Sequence, residues 1–174
     1  MVNNKEVTII GLTGNMGSGK STTATILKKL AGPAHIIKFA QPLYDMQEFI
    51  YARAGLEPVK DRRLLQWLGT EWGRSIKRDL WVDIWKEDVA ECLERNKDAI
   101  VICDDVRFDE EAQVIKDMGG KVVRLVSDVT RIDKVNTGHD SEKGVLNSLV
   151  DATIYNNGSL EDLELNVKYL LGIV

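Results

Sequence analysis

The 174-residue sequence predicts an α/β fold, a three-layer arrangement in which a parallel sheet is covered by helices on both faces. Three observations carry this. Five short apolar runs rich in Val and Ile recur along the chain at strand length. Amphipathic stretches at helical spacing separate them, and strand and helix in alternation require a sheet buried on both sides. The length, with 44% hydrophobic and 29% charged residues, suits a single domain over residues 1–174 with a full core.

Taken in order, the strands are expected at Val7–Ile10, His35–Phe39, Ala99–Cys103, Lys121–Val126 and Ala152–Tyr155. Helices are expected at Ser21–Leu30, Pro42–Ala54, Arg62–Lys77, Leu80–Arg95, Glu110–Met118 and Leu160–Leu171. Ser159 is placed to cap the last, with Asp162 at the return position of a capping box. Residues 127–141 carry few apolar side chains and no period, which predicts a long loop or flap.

Within the third helical stretch, Leu64, Leu65, Leu68, Trp72 and Ile76 should face the core. Arg63, Gln66, Thr70, Arg74 and Lys77 form a second, polar stripe, either a solvated face or one that reads a phosphate monoester and a base edge. Gly69 and Gly73 interrupt this helix at about 1 kcal/mol each relative to alanine, so a local break or a close approach is expected there. Trp81 and Trp85, four residues apart, are expected to pack in the core.

A formal net charge of −4 argues against a stable nucleic-acid or anionic-membrane partner. Cys92 and Cys103 lack the spacing of a zinc site or disulfide framework and are expected to be two buried thiols. No signal-like or membrane-spanning run is present, so the expected location is the cytoplasm.

The chemistry starts at GNMGSGKS, Gly14 to Ser21, a G-x-x-x-x-G-K-S pattern set between a strand and a helix. Glycines let backbone N–H groups turn inward around a polyphosphate; Lys20 can reach the β- and γ-phosphates, and the Ser21 hydroxyl can ligate Mg²⁺. Gly14, Asn15, Gly17, Ser18, Gly19, Lys20, Ser21 and Thr22 are therefore the candidate ATP contacts. The alternative is a glycine-rich connector. AIVICDDVRF, residues 99–108, places Asp104 and Asp105 at a strand end, where one of the pair can serve the metal, and Arg107 just beyond. Asp104 is assigned to the metal and Asp105 to the substrate, the alternative being helix caps and a surface ion pair. His139, beside Asp140, Ser141 and Glu142, has no surrounding hydrolytic motif and is given no catalytic role.

The blocks GNMGSGKSTTA, RRLLQWLGTEWGR with LWV, VICDDVRFDEEAQVIKDMGGKVVRLV, HDSE and IYNNGSLEDL run through the chain from end to end. Together they resemble the deoxynucleoside monophosphate kinases of tailed bacteriophages. The resemblance implies a five-stranded P-loop sheet and transfer of the ATP γ-phosphoryl group to the 5′-phosphate of a deoxynucleoside monophosphate. The acceptor would be bound by a helical segment at about residues 42–80.

On that reading Lys20 meets the donor phosphates and Arg107 the transferring group or the acceptor phosphate. Arg63 and Arg74 hold the acceptor phosphate with Arg62 as a close rival, and Gln66 and Thr70 share their stripe. Arg131 and Lys134 on the flap would complete the cation set. The resemblance further implies Trp81 as a wall for the acceptor base, and Asn157 and Gly158 beside the donor adenine, a plain Asn-Gly turn being the alternative. A homodimer is implied by the resemblance alone. Relatives often carry Asp where this chain has Ser21, and the segment between Ala40 and Arg62 is short. Rival readings are a kinase of the dephospho-coenzyme A or phosphomevalonate type, or a regulatory ATP-binding module or ATPase.

Overall fold

The computed structural model describes residues 8–128 and 144–173. Strand β1 (Ile9–Thr13) runs through the centre of the sheet with all five residues buried, as a strand covered on both faces must. With β2 (Ala34–Ile36), β3 (Ile100–Cys103), β4 (Lys121–Val126) and β5 (Ala152–Tyr155) it forms a five-stranded sheet in the order β2-β3-β1-β4-β5, every pair parallel. The expected α/β architecture is therefore observed.

Alternation along the strands divides the core. Ile10, Leu12, Ile102, Val123 and Leu125 meet Leu27 of α1 (Lys20–Leu30) and Leu163 and Val167 of α7 (Leu160–Leu171). On the other face Ile9, Val101 and Val122 meet Trp85 and Val89 of α5 (Leu80–Arg95) and Ile115 of α6 (Asp109–Asp117). A smaller cluster of Leu43, Leu65, Leu68 and Trp81 ties α2 (Gln41–Ala54) and α3 (Arg62–Gln66) to the start of α5. The α7 capping box forms as expected: Asp162 N donates to Ser159 Oγ at 3.2 Å and Ser159 N to Asp162 Oδ2 at 2.8 Å.

Four expectations need correction. The helix expected over Arg62–Lys77 is not continuous: a π-helical segment, Trp67–Gly73, separates α3 from α4 (Arg74–Ile76). The two glycines explain it, since a Cβ on Gly73 would lie 2.3 Å from Trp81 Cζ2 and the Trp81 indole N–H donates to Gly69 O at 2.8 Å. The wide turn shifts the register, so Ile76 faces solvent at 64% exposure and Lys77 pairs with Asp83 at 2.6 Å. Second, β1 lies later than expected, over Ile9–Thr13, with Gly11 letting Ile115 pack against it. Third, β2 ends at Ile36, because the Phe39 and Ala40 amides turn to the Asp105 carboxylate instead of a strand neighbour. Fourth, Cys103 is buried, whereas Cys92 is only half-buried. Most of the expected flap, with Arg131, Lys134 and His139, lies outside the described residues. No described helix is long and apolar enough to cross a membrane.

Candidate functional site

The ends of β1, β3 and β4 meet at one rim, and the loop from Gly14 to Gly19 is wedged into it. Gly14, Gly17 and Gly19 have φ of 140°, 80° and 99°, which disfavour any side chain. A Cβ on Gly14 would also lie 2.3 Å from Leu125 O, and one on Gly19 2.4 Å from Asn156 Nδ2. Asn156, just after β5, donates to Ser18 O at 3.0 Å and so braces the loop. The next helix, α1, has no side-chain cap and no acidic residue in its first turn. Its leading N–H groups and positive dipole end are left for an anion.

Lys20 arches back across the loop, donating to Gly14 O at 2.7 Å and Asn15 O at 2.9 Å. Partial burial, and secondarily the Arg107 charge, lower its ammonium pKa to about 8, against the pull of Asp104 and Asp105. The structure thus gathers Lys20, Arg107, Asp104 and Asp105 around one point. Ser21 and Thr22 are exposed on the first turn of α1. Asp104 is 5% exposed; its Oδ1 accepts no hydrogen bond, although Lys38 Nζ stands 3.1 Å away and donates to Oδ2 at 3.3 Å. Both Asp105 oxygens are taken by the Phe39 and Ala40 amides, at 3.1 and 2.9 Å, which makes Asp105 the anchor of the β2–α2 turn.

The acceptor candidates divide. Arg62 Nη2 reaches to 3.8 Å from Met16 Sδ, on the phosphate loop itself. Arg63 and Gln66 line a cavity of about 400 Å³ with Asp61, Leu64, Trp67 and Glu71. Asp61 caps α3 by accepting from Leu64 N at 3.0 Å. Thr70 is half-buried in the π-helical segment. Arg74 has turned from this stripe toward α6: it stacks on Phe108 at 3.7 Å and pairs with Glu110 and Glu111 at 3.3 Å. Trp81, expected as a base wall, is only 4% exposed because its ring packs on Gly73; Trp67, at 51% exposure, is the aromatic beside Arg63. Asn157 exchanges two hydrogen bonds with Asp128, at 2.8 and 2.5 Å. Gly158 leaves room for the Asp162 carboxylate of the α7 cap.

Sequence reasoning missed Lys38, Trp67 and Glu111, and it missed that Asn156 braces the phosphate loop. Lys38 stands just past the end of β2, but the strand expected through Phe39 hid that position. Glu111 Oε2 accepts from Arg107 N at 2.8 Å and Phe108 N at 3.1 Å, fixing the backbone that carries the arginine. Burial pushes its carboxyl up to about 8, opposed by those amides and by Arg74. A folded-state value above the unfolded one gives a contribution present below about pH 4.5 and lost as pH rises through about 8. We expect the stability of the wild type relative to Glu111→Gln to fall across pH 5–8 in urea melts. A flat difference would show Glu111 ionised throughout.

For a divalent cation, the fit rests on Asp104 Oδ1, buried beside Lys38 and accepting no hydrogen bond, and on the exposed Ser21. No group of three or more His, Cys, Asp or Glu that could hold a metal occurs among the described residues. This donor set suits Mg²⁺ shared with phosphates, not an all-protein cage.

Residues 47–167 match the family described as deoxynucleotide monophosphate kinase. A protein of Acanthamoeba polyphaga mimivirus, named a putative deoxynucleotide monophosphate kinase, is 28% identical over 142 residues, covering 67% of this chain and 72% of that one. Among solved structures, a dephospho-CoA kinase from Campylobacter jejuni superposes with a TM-score of 0.54 at 15% identity, covering 96% of both chains. TT1252 from Thermus thermophilus does so with a TM-score of 0.55 at 20% identity, covering 98% of this chain and 99% of that one. These two likenesses concern the fold.

Proposed function

The chain belongs to the deoxynucleotide monophosphate kinase family, and on that premise we propose that it transfers the γ-phosphoryl group of ATP to the 5′-phosphate of a deoxynucleoside monophosphate, giving ADP and the diphosphate. The observation that carries this reading is the uncapped start of α1, ringed by Lys20, Arg107 and Asp104, with Arg62 reaching the same loop from the acceptor side. Two anions brought end to end repel each other, and cations on both sides of the junction offset that repulsion.

In the proposed mechanism, the Gly14–Gly19 backbone and Lys20 hold the donor phosphates. Ser21 and Asp104 would hold Mg²⁺, which would supply positive charge against the donor phosphates. Arg107, kept in place by Glu111, faces the group in transfer. Arg63, with Arg62 its rival, holds the acceptor phosphate, while Gln66 and Trp67 offer an amide and a ring face to the base. No general base is needed, because the attacking phosphate oxygen is already ionised at neutral pH.

The test is a coupled assay of ADP release with each of the four common deoxynucleoside monophosphates and with dephospho-coenzyme A. Turnover on at least one monophosphate is expected; turnover on dephospho-coenzyme A alone would overturn the assignment. Arg63→Ala should raise the Michaelis constant for the monophosphate roughly tenfold to a hundredfold, the value of one charge-assisted contact, while that for ATP stays nearly constant. Equal effects on both substrates would remove Arg63 from the acceptor site.

A further inference from the structure

Lys38 comes after β2 on a short segment whose other members are all pinned. Ile37 N donates to Ile102 O at 3.0 Å, and Ile37 O accepts from the Trp85 indole at 3.1 Å. The Phe39 ring stacks on Trp85 at 4.5 Å, and the Phe39 and Ala40 amides bind Asp105. Between these anchors the Lys38 side chain, one-third exposed, runs to an Asp104 carboxylate that is almost wholly buried.

We propose that Lys38 is a positioning residue that occupies Asp104 in the ligand-free protein and sets how readily a divalent cation reaches that carboxylate. The inference rests on the phosphate-loop reading above. Asp104 stands at a strand end on the phosphate rim, and its buried Oδ1 lies 3.1 Å from the Lys38 ammonium without accepting a hydrogen bond, so the contact at that oxygen is one of charge. A buried carboxylate is costly to leave unpaired, and the Lys38 ammonium supplies the countercharge. A lysine suits this exchange because its single point charge on a flexible stem swings away more easily than a bidentate guanidinium. Asp104 then exchanges an ammonium for the metal when metal and nucleotide arrive together.

The experiment titrates Mn²⁺ into the full chain with ADP present, following free Mn²⁺ by electron paramagnetic resonance, with no turnover involved. Lys38→Met is expected to take up Mn²⁺ at about fivefold lower concentration than the wild type, the size of a part-exposed ion pair, and Lys38→Arg to need more Mn²⁺ than the wild type. Lys38→Gln replaces Lys38→Met should the latter not fold. A second readout is the unfolding midpoint: Lys38→Met should melt lower without ligand and gain more than the wild type from Mn²⁺ with ADP. Unchanged or weaker Mn²⁺ uptake by the uncharged variants would overturn the proposal. Failure of the wild type itself to take up Mn²⁺ with ADP would overturn the phosphate-loop reading, a result visible before any variant is compared.

Discussion

Replacing Lys20 with alanine is expected to lower kcat/KM for phosphoryl transfer on the order of 10³-fold, comparable to removing one fixed donor from a developing charge. The fold should survive, because the hydrogen bonds of the Lys20 ammonium among the described residues go to its own loop, at Gly14 O and Asn15 O. Nothing in either core cluster depends on it. Without the lysine, the phosphates retain the loop amides and the α1 dipole, so nucleotide binding weakens less than transfer does. The check is steady-state kinetics paired with circular dichroism and a thermal melt. A folded Lys20→Ala protein with near-normal turnover would show that the loop serves some other purpose.

The largest expected loss of stability comes from Trp85→Ala. Trp85 is 1% exposed, stacks on Phe39 with an interplanar angle of 25°, and donates to Ile37 O. Truncating a buried tryptophan costs about 3–5 kcal/mol, a large part of the roughly 5–15 kcal/mol that holds a domain together. The damage would also reach function, since Ile37 and Phe39 flank Lys38 and Phe39 helps anchor Asp105. Urea unfolding is expected to show a midpoint far below that of the wild type, with Trp85→Phe falling between the two. A loss under about 1 kcal/mol would mean that the site closes over the cavity and that the β2 end is held by Asp105 alone.

Sheet, helix order and phosphate loop were legible because each rests on local chemistry: apolar runs of strand length, glycines spaced around a lysine, and a Ser-x-x-Asp cap. The π-helical segment was half legible. Gly69 and Gly73 marked a break or close approach, but the ring that fills the space, Trp81, was visible only once the chain had folded. The polar stripe misled for the same reason. A register shift inside Trp67–Gly73 carries Arg74 to Glu110 and Glu111, where an ideal helix would have kept it beside Arg63 and Gln66. The contacts of Lys38 and Asn156 were not legible because their partners, Asp104 and Ser18, are 66 and 138 residues away in sequence, a distance no periodicity spans.

The central claim is that one rim holds two nucleotide phosphates end to end. Calorimetry with an adenosine–deoxynucleoside conjugate joined through five phosphates measures this directly, because a linker of that length spans donor and acceptor sites together. The account predicts that the conjugate binds at least a hundredfold more tightly than ATP or the monophosphate alone, the gain expected when a second binding event becomes intramolecular. Binding no tighter than ATP would contradict it, since the two phosphates would then not share a line.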